Sequence, residues 1–331
     1  MTDTRNLTLF GQALGDGLGH FLLHKPRIGS KIHKSITMED FRLHIGYGEH
    51  TQLSLALKYY LSTLEHPHYS AQLSSMIKER LSVFPKEDIR DGHNLIAHLS
   101  QLQPIKNESV STSILFATLC TEFHSLEKLM PWLIGYASML NKNTYSIAGH
   151  IFFGMYLFCR YQGATPQEFI QMFTTWRKSS QALQSPVPDQ IYWAFQQALW
   201  IGISYNRRPM MEFIGQHLTT TLAAPNANCA LSMIPFAIVL GEDKKDFSEL
   251  CLYLCEPSSV IAKSDIMILG MLSAQVLGCR STHIPKWLSI HNQEYLCAPH
   301  NWKPEVEKRQ IQSFVHFPPS PQQKETQLRL F

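Results

Sequence analysis

Glu49, His50 and Thr51 stand side by side in "GYGEHTQLSLA" (46–56). A carboxylate, an imidazole and a hydroxyl can each bind a metal or a phosphate. A carboxylate beside an imidazole can also act as an acid–base pair. Asp16, in "LGDGLG" (14–19), offers a second carboxylate. The simpler role for Asp16 is to cap or orient backbone amides, because glycine spacing alone is weak evidence for a phosphate site. His20, His24 and His33 follow in the same region. They could line a cleft, but solvated or singly bonded histidines are the simpler reading.

The other reactive side chains carry less. The chain has seven cysteines, an odd number, and no C-x-x-C pair, which argues against a disulfide frame or a zinc ribbon. Cys251 and Cys255 are four apart and share a helix face, where core packing is expected. No basic segment followed by an apolar run opens the sequence, so the chain is expected to be cytoplasmic with reduced thiols. Lys and Arg exceed Asp and Glu by 29 to 26, a net charge of +3. That is too weak a field to imply direct nucleic-acid binding.

These residues must be positioned by helices. Hydrophobic residues make up 44% of the 331, and charged residues 17%, enough apolar surface for a large core. Helical spacing recurs at 52–63, 130–140, 189–204 and 210–223, with Pro, Gly, Asn and Asp clusters between. In 52–63, Leu53, Ala56, Leu57 and Tyr60 fall on one face. The most apolar window, "IAGHIFFGMYLF" (147–158), is too short to span a bilayer and predicts a buried helix. Strand signals are sparse. No fixed repeat period appears, which disfavours a solenoid. The expectation is an all-α, compact multi-helix bundle over 1–315 and a mobile Pro/Gln-rich tail over 316–331.

One helix is more specific. In "AKSDIMILGMLSAQVLGC", Gly270, Ala274 and Gly278 fall at i, i+4 and i+8. That stripe is smooth enough for another helix to approach closely. Glycine inside a helix costs about 1 kcal/mol against alanine, so a packing reason is expected.

Four segments in order resemble the ADP-ribosylglycohydrolase family, which includes the enzymes that release dinitrogenase reductase from ADP-ribose. "FGQALGDGLG" (10–19) resembles the family's opening G-x-x-x-G-D-x-x-G helix. "GEHTQLSLAL" (48–57) sits where the family has T-D-D-T before an apolar helix, and "ALSMIPFAI" (230–238) resembles a late family helix. "SSVIAKSDIMILGMLSAQVLG", with "IPKWL" after a gap, resembles the family's G-G-D-x-D-T helix, its glycine stripe and its closing IP-x-x-W. The covered span is about 10 to 288. The resemblance implies an all-α bundle in which two magnesium ions hold ADP-ribose and activate water.

The metal positions depart from that pattern. The family's T-D-D ligands align with Gly48, Glu49 and His50, and its D-x-D-T ligands with Ile261, Lys263 and Ser264. A glutamate kept by some family members aligns with Leu23. Magnesium wants hard oxygen ligands in octahedral geometry. Isoleucine supplies none and lysine supplies a positive charge, so no metal and no other cofactor is expected. Lys263 at the former metal position is expected to pair with Glu49 and Asp16, since an isolated buried charge is costly. The plainer alternative is drift, in which the lost site fills with whatever packs.

The chain terminates in "QLRLF" (327–331), which resembles the bacterial sliding-clamp-binding pentapeptide Q-L-(S/D)-L-F. The resemblance implies that Gln327 makes polar contacts at a pocket mouth while Leu328, Leu330 and Phe331 anchor in an apolar groove. Docking of the tail on its own domain is the competing expectation.

Three readings follow. The first is a catalytically inactive binding or adaptor protein recruited to the sliding clamp, with ADP-ribose or a nucleotide-like molecule as the candidate ligand of its cleft. The second is an atypical hydrolase of ADP-ribosyl or related N-glycosidic bonds, using Asp16, Glu49 and His50 instead of metal-bound water. The third is a structural protein that keeps only the fold.

Overall fold

A computed structural model describes residues 7–24, 26–48, 50–51, 54–55, 58, 123–179, 182, 185–204, 230–256, 263–291, 293–297 and 327–330. The described residues are mostly helical. In chain order they form α1 (Thr8–His24), α2 (Pro26–Ser35), β1 (Arg42–Ile45), α3 (Leu126–Leu140), α4 (Thr144–Tyr161), α5 (Pro166–Arg177) and α6 (Asp189–Ser204). Then come α7 (Ala230–Asp243), α8 (Phe247–Leu254), α9 (Lys263–Arg280), β2 (Leu288–Ile290), α10 (Gln293–Cys297) and β3 (Gln327–Leu330). The helix expected over 210–223 and most of that over 52–63 lie outside the described residues. No helix among the described residues is long and apolar enough to cross a membrane.

Local chemistry explains the helix starts. Asn143 and Asp246 accept hydrogen bonds from the first amides of α4 and α8. Thr165 and Glu168 form a reciprocal capping box ahead of Pro166. Between the caps, α4 is buried from Ser146 to Cys159, as its unbroken apolar run predicts. Phe152 stacks edge-on against Phe169 and Phe173 of α5. Trp176 and Tyr192 extend that aromatic layer to α6. Cys251 and Cys255 are buried in the core, as expected. Burial raises both thiols, Cys255 to about 12, so neither is a reactive thiolate.

Two small-residue stripes set the central seam. α1 runs antiparallel to α9, with Gly11 against Ala274, Gly15 against Gly270 and Met271, and Gly19 against Met267. Gly278 meets Leu7 and Thr8 at the far end. The stripe Gly270, Ala274, Gly278 is therefore the contact surface it was expected to be, and its partner is α1. Gly241 brings α7 against the opposite side of α9, at Ser273 and Val276.

One ion network fastens three helix ends. Glu242 of α7 accepts from the Tyr156 hydroxyl at 2.8 Å and from Arg160 Nε and Nη2 at 2.6 and 3.1 Å. Arg280 donates to the carbonyls of Gly241, Glu242 and Lys244, closing the C-terminal end of α7. Burial, then the Glu242 carboxylate, pushes the Tyr156 hydroxyl well above its usual range. Burial alone would lower Arg160, but Glu242 beside it outweighs that and raises it. Glu242→Gln is expected to cost about 2 kcal/mol, because one half-buried guanidinium loses its counter-charge. Urea unfolding monitored by circular dichroism measures this directly.

Three short parallel strands complete the fold, in the order β2-β1-β3. Sparse strand signals gave no hint of this sheet. Of the tail expected over 316–331, residues 316–326 and 331 lie outside the described residues. Gln327–Leu330 is a strand paired with β1, Leu328 in register with Leu43 and Leu330 with Ile45. The physical reason is alternation: Leu328 and Leu330 repeat the period of the buried Leu43 and Ile45.

Candidate functional site

Where β1 ends, the chain turns across the outer side of α1. Gly17 and Gly48 permit this. A Cβ on Gly17 would lie 2.0 Å from the Gly46 carbonyl oxygen, and one on Gly48 would lie 2.8 Å from Asp16 Oδ1. His50 and Thr51 are already helical, as are Ser54, Leu55 and Lys58.

Asp16, 1% exposed, meets the start of that helical segment. Its Oδ2 accepts from the Gly48 amide at 2.9 Å, the Thr51 amide at 3.2 Å and the Thr51 hydroxyl at 2.8 Å. This is a cap supplied from a distant helix, satisfying amides that have no partner within their own first turn. Asp16 Oδ1 lies 3.9 Å from His50 Nδ1, and His50 is buried. One turn earlier on α1, Gln12 Nε2 donates to the His50 carbonyl at 3.2 Å and to Ser54 Oγ at 2.8 Å.

The structure thus brings together Asp16, Gly48, His50 and Thr51. Gln12 and Ser54 belong to the same cluster and were not singled out from the sequence. A signal existed: Gln12 precedes Asp16 by four residues and so shares its helix face. Glu49 and Ile261 lie outside the described residues, as do the side chains of Lys263, Ser264, His20 and His24. The expected Glu49–Lys263 pair falls there too. Lys263 and Ser264 do open α9 in the backbone. Because Gly15 is level with Gly270 and α9 is antiparallel, Lys263 starts about 10 Å along the seam from the level of Asp16. His33 sits half-buried on α2.

Two amides and a hydroxyl direct hydrogens at Asp16 Oδ2. What the cluster can do is hold Gly48, His50 and Thr51 on α1. The remaining chemistry is the Asp16–His50 pair, a buried carboxylate and imidazole 3.9 Å apart, beyond direct hydrogen-bond distance. No family model matches this chain, and a search of the curated proteins finds no match either.

Proposed function

We propose that this protein is a non-catalytic adaptor. In this reading an ADP-ribosylglycohydrolase-like helical body carries a C-terminal peptide, Gln327, Leu328, Leu330 and Phe331, for a bacterial sliding clamp. The observation that supports the non-catalytic half is the engagement of Asp16 Oδ2. It is held by three donors from the adjoining turn, so the carboxylate serves the fold and offers that oxygen to no substrate. The substitutions at Gly48, Glu49, His50, Ile261, Lys263 and Ser264 support it from the sequence side. In this reading ADP-ribose or a nucleotide-like molecule is the ligand class of the expected cleft.

The hydrolase reading keeps one observation in its favour, the 3.9 Å approach of Asp16 Oδ1 to His50 Nδ1. Two assays separate the readings. The full chain is expected to be captured by the immobilised clamp, and the chain lacking residues 327–331 is not. Unchanged capture after truncation removes the tail as the contact. ADP-ribosylated protein incubated with the chain and magnesium is expected to show no release of ADP-ribose. Turnover that Glu49→Gln abolishes would establish the hydrolase instead.

A further inference from the structure

The backbone of β1 reaches two ways. The Leu43 amide donates to the Trp287 carbonyl at 2.6 Å, and the Ile45 carbonyl accepts from the His291 amide at 2.9 Å. In a strand, the N–H and C=O of one residue point to the same side, and those of its neighbours to the other. Arg42 and His44 therefore turn their backbone groups toward the opposite edge, where β3 runs in parallel. Without β3 that edge would be an open row of donors and acceptors. The register also matches by chemistry. Leu328 and Leu330 stand beside the buried Leu43 and Ile45, while Gln327 and Arg329 stand beside Arg42 and His44, which are exposed and half-buried. The last described residue before β3 is Cys297, and the 29 residues 298–326 separate the two. Four paired residues form a small contact, of the kind that opens locally while the helical body stays folded.

We infer that the outer edge of β1 is a peptide seat occupied by the chain's own C-terminus, and that leaving this seat is the step that frees residues 327–330 for a partner. The second half rests on the clamp reading above. The two uses exclude each other, because Gln327, Leu328 and Leu330 would be both the cis strand and the trans anchors. Docking in cis then lowers the apparent affinity for the clamp by the fraction of time the tail is free. It also shields an edge that would otherwise recruit other strands.

The seat is tested without the clamp, by amide hydrogen exchange on the full chain. In Leu328→Asp/Leu330→Asp the His44 amide is expected to exchange at least tenfold faster, while the Leu43 amide, bonded to Trp287, stays protected. A synthetic peptide TQLRLF added to that variant is expected to restore His44 protection saturably. Equal exchange in variant and wild type, or no response to the peptide, overturns the seat. Competition is tested with His44→Pro, which removes an amide facing β3 and leaves the Leu43 and Ile45 bonds to the β2 side. If the seat holds the tail about ten to one, clamp affinity rises about tenfold. Unchanged clamp affinity in a variant whose tail has been released overturns the competition. Loss of clamp binding in every variant, with the exchange result intact, overturns the clamp reading and leaves the seat standing.

Discussion

Gly15→Ala is expected to lower the thermal midpoint by roughly 3 °C or more, although alanine is the better helix former. A Cβ at Gly15 would lie 2.2 Å from the Met271 amide nitrogen and 2.3 Å from the Gly270 carbonyl carbon. Both are backbone atoms inside α9, so no side-chain rotation relieves the overlap. The helices must separate, and contacts at Gly11–Ala274 and Gly19–Met267 loosen with them. Overpacking of this kind costs about 3 kcal/mol or more, against a propensity gain of about 1. Gly270→Ala is the control. There the nearest atom is Leu254 Cδ1 at 3.2 Å, the end of a flexible side chain that can give way. Its cost is expected to stay below about 1 kcal/mol. Equal midpoints for Gly15→Ala and wild type would show that the seam is not packed this tightly.

Half of that seam is legible in the sequence. Gly270, Ala274 and Gly278 repeat every four residues inside an unambiguous helix, and no local role explains them. Gly11, Gly15 and Gly19 repeat in the same way, and their complementarity to α9 becomes visible only when the helices are paired. The buried α4 and the core thiols are equally readable, because each depends on one segment and one chemical type; that Asp16 orients amides is readable from its type, but not which distant amides it orients. The sheet is not readable. Arg42–Ile45, Leu288–Ile290 and Gln327–Leu330 are three or four residues long, joined in parallel across most of the chain, with no hairpin turn to announce them. The network of Tyr156, Arg160, Glu242 and Arg280 escapes for the same reason, since its members sit on three helices separated in sequence. In the tail, one pattern supports two structures. "QLRLF" has the alternation of a strand and the anchors of a docking peptide, and only the register with β1 favours the former as the resting state.

Removing the Asp16 carboxylate is the second large effect. Asp16→Ala leaves the Gly48 amide, the Thr51 amide and the Thr51 hydroxyl without their acceptor, the two on Thr51 fully buried. The expected loss is about 4 kcal/mol, short of three full penalties because the turn relaxes as one unit. Asp16→Asn keeps one acceptor oxygen, which can still serve two of the three donors if the amide group turns toward His50. That variant is expected to lose about 1–2 kcal/mol. Thr51→Val removes one donor without orphaning another, and its cost should be about 1 kcal/mol. The three values have different meanings under different functions. A carboxylate that serves the fold gives a stability series Asp16→Ala > Asp16→Asn ≥ Thr51→Val, with the Asp16 and Thr51 substitutions strongly coupled in a double-mutant cycle. A carboxylate that serves a reaction gives the reverse emphasis: Asp16→Asn unfolds like wild type and loses turnover, while Thr51→Val affects neither much. Urea denaturation of wild type, the three single variants and the Asp16→Ala/Thr51→Val double variant separates the cases before any substrate is known. An Asp16→Ala chain as stable as wild type would mean that the turn is held by something other than this carboxylate, and the support that Asp16 gives to a non-catalytic reading would be gone.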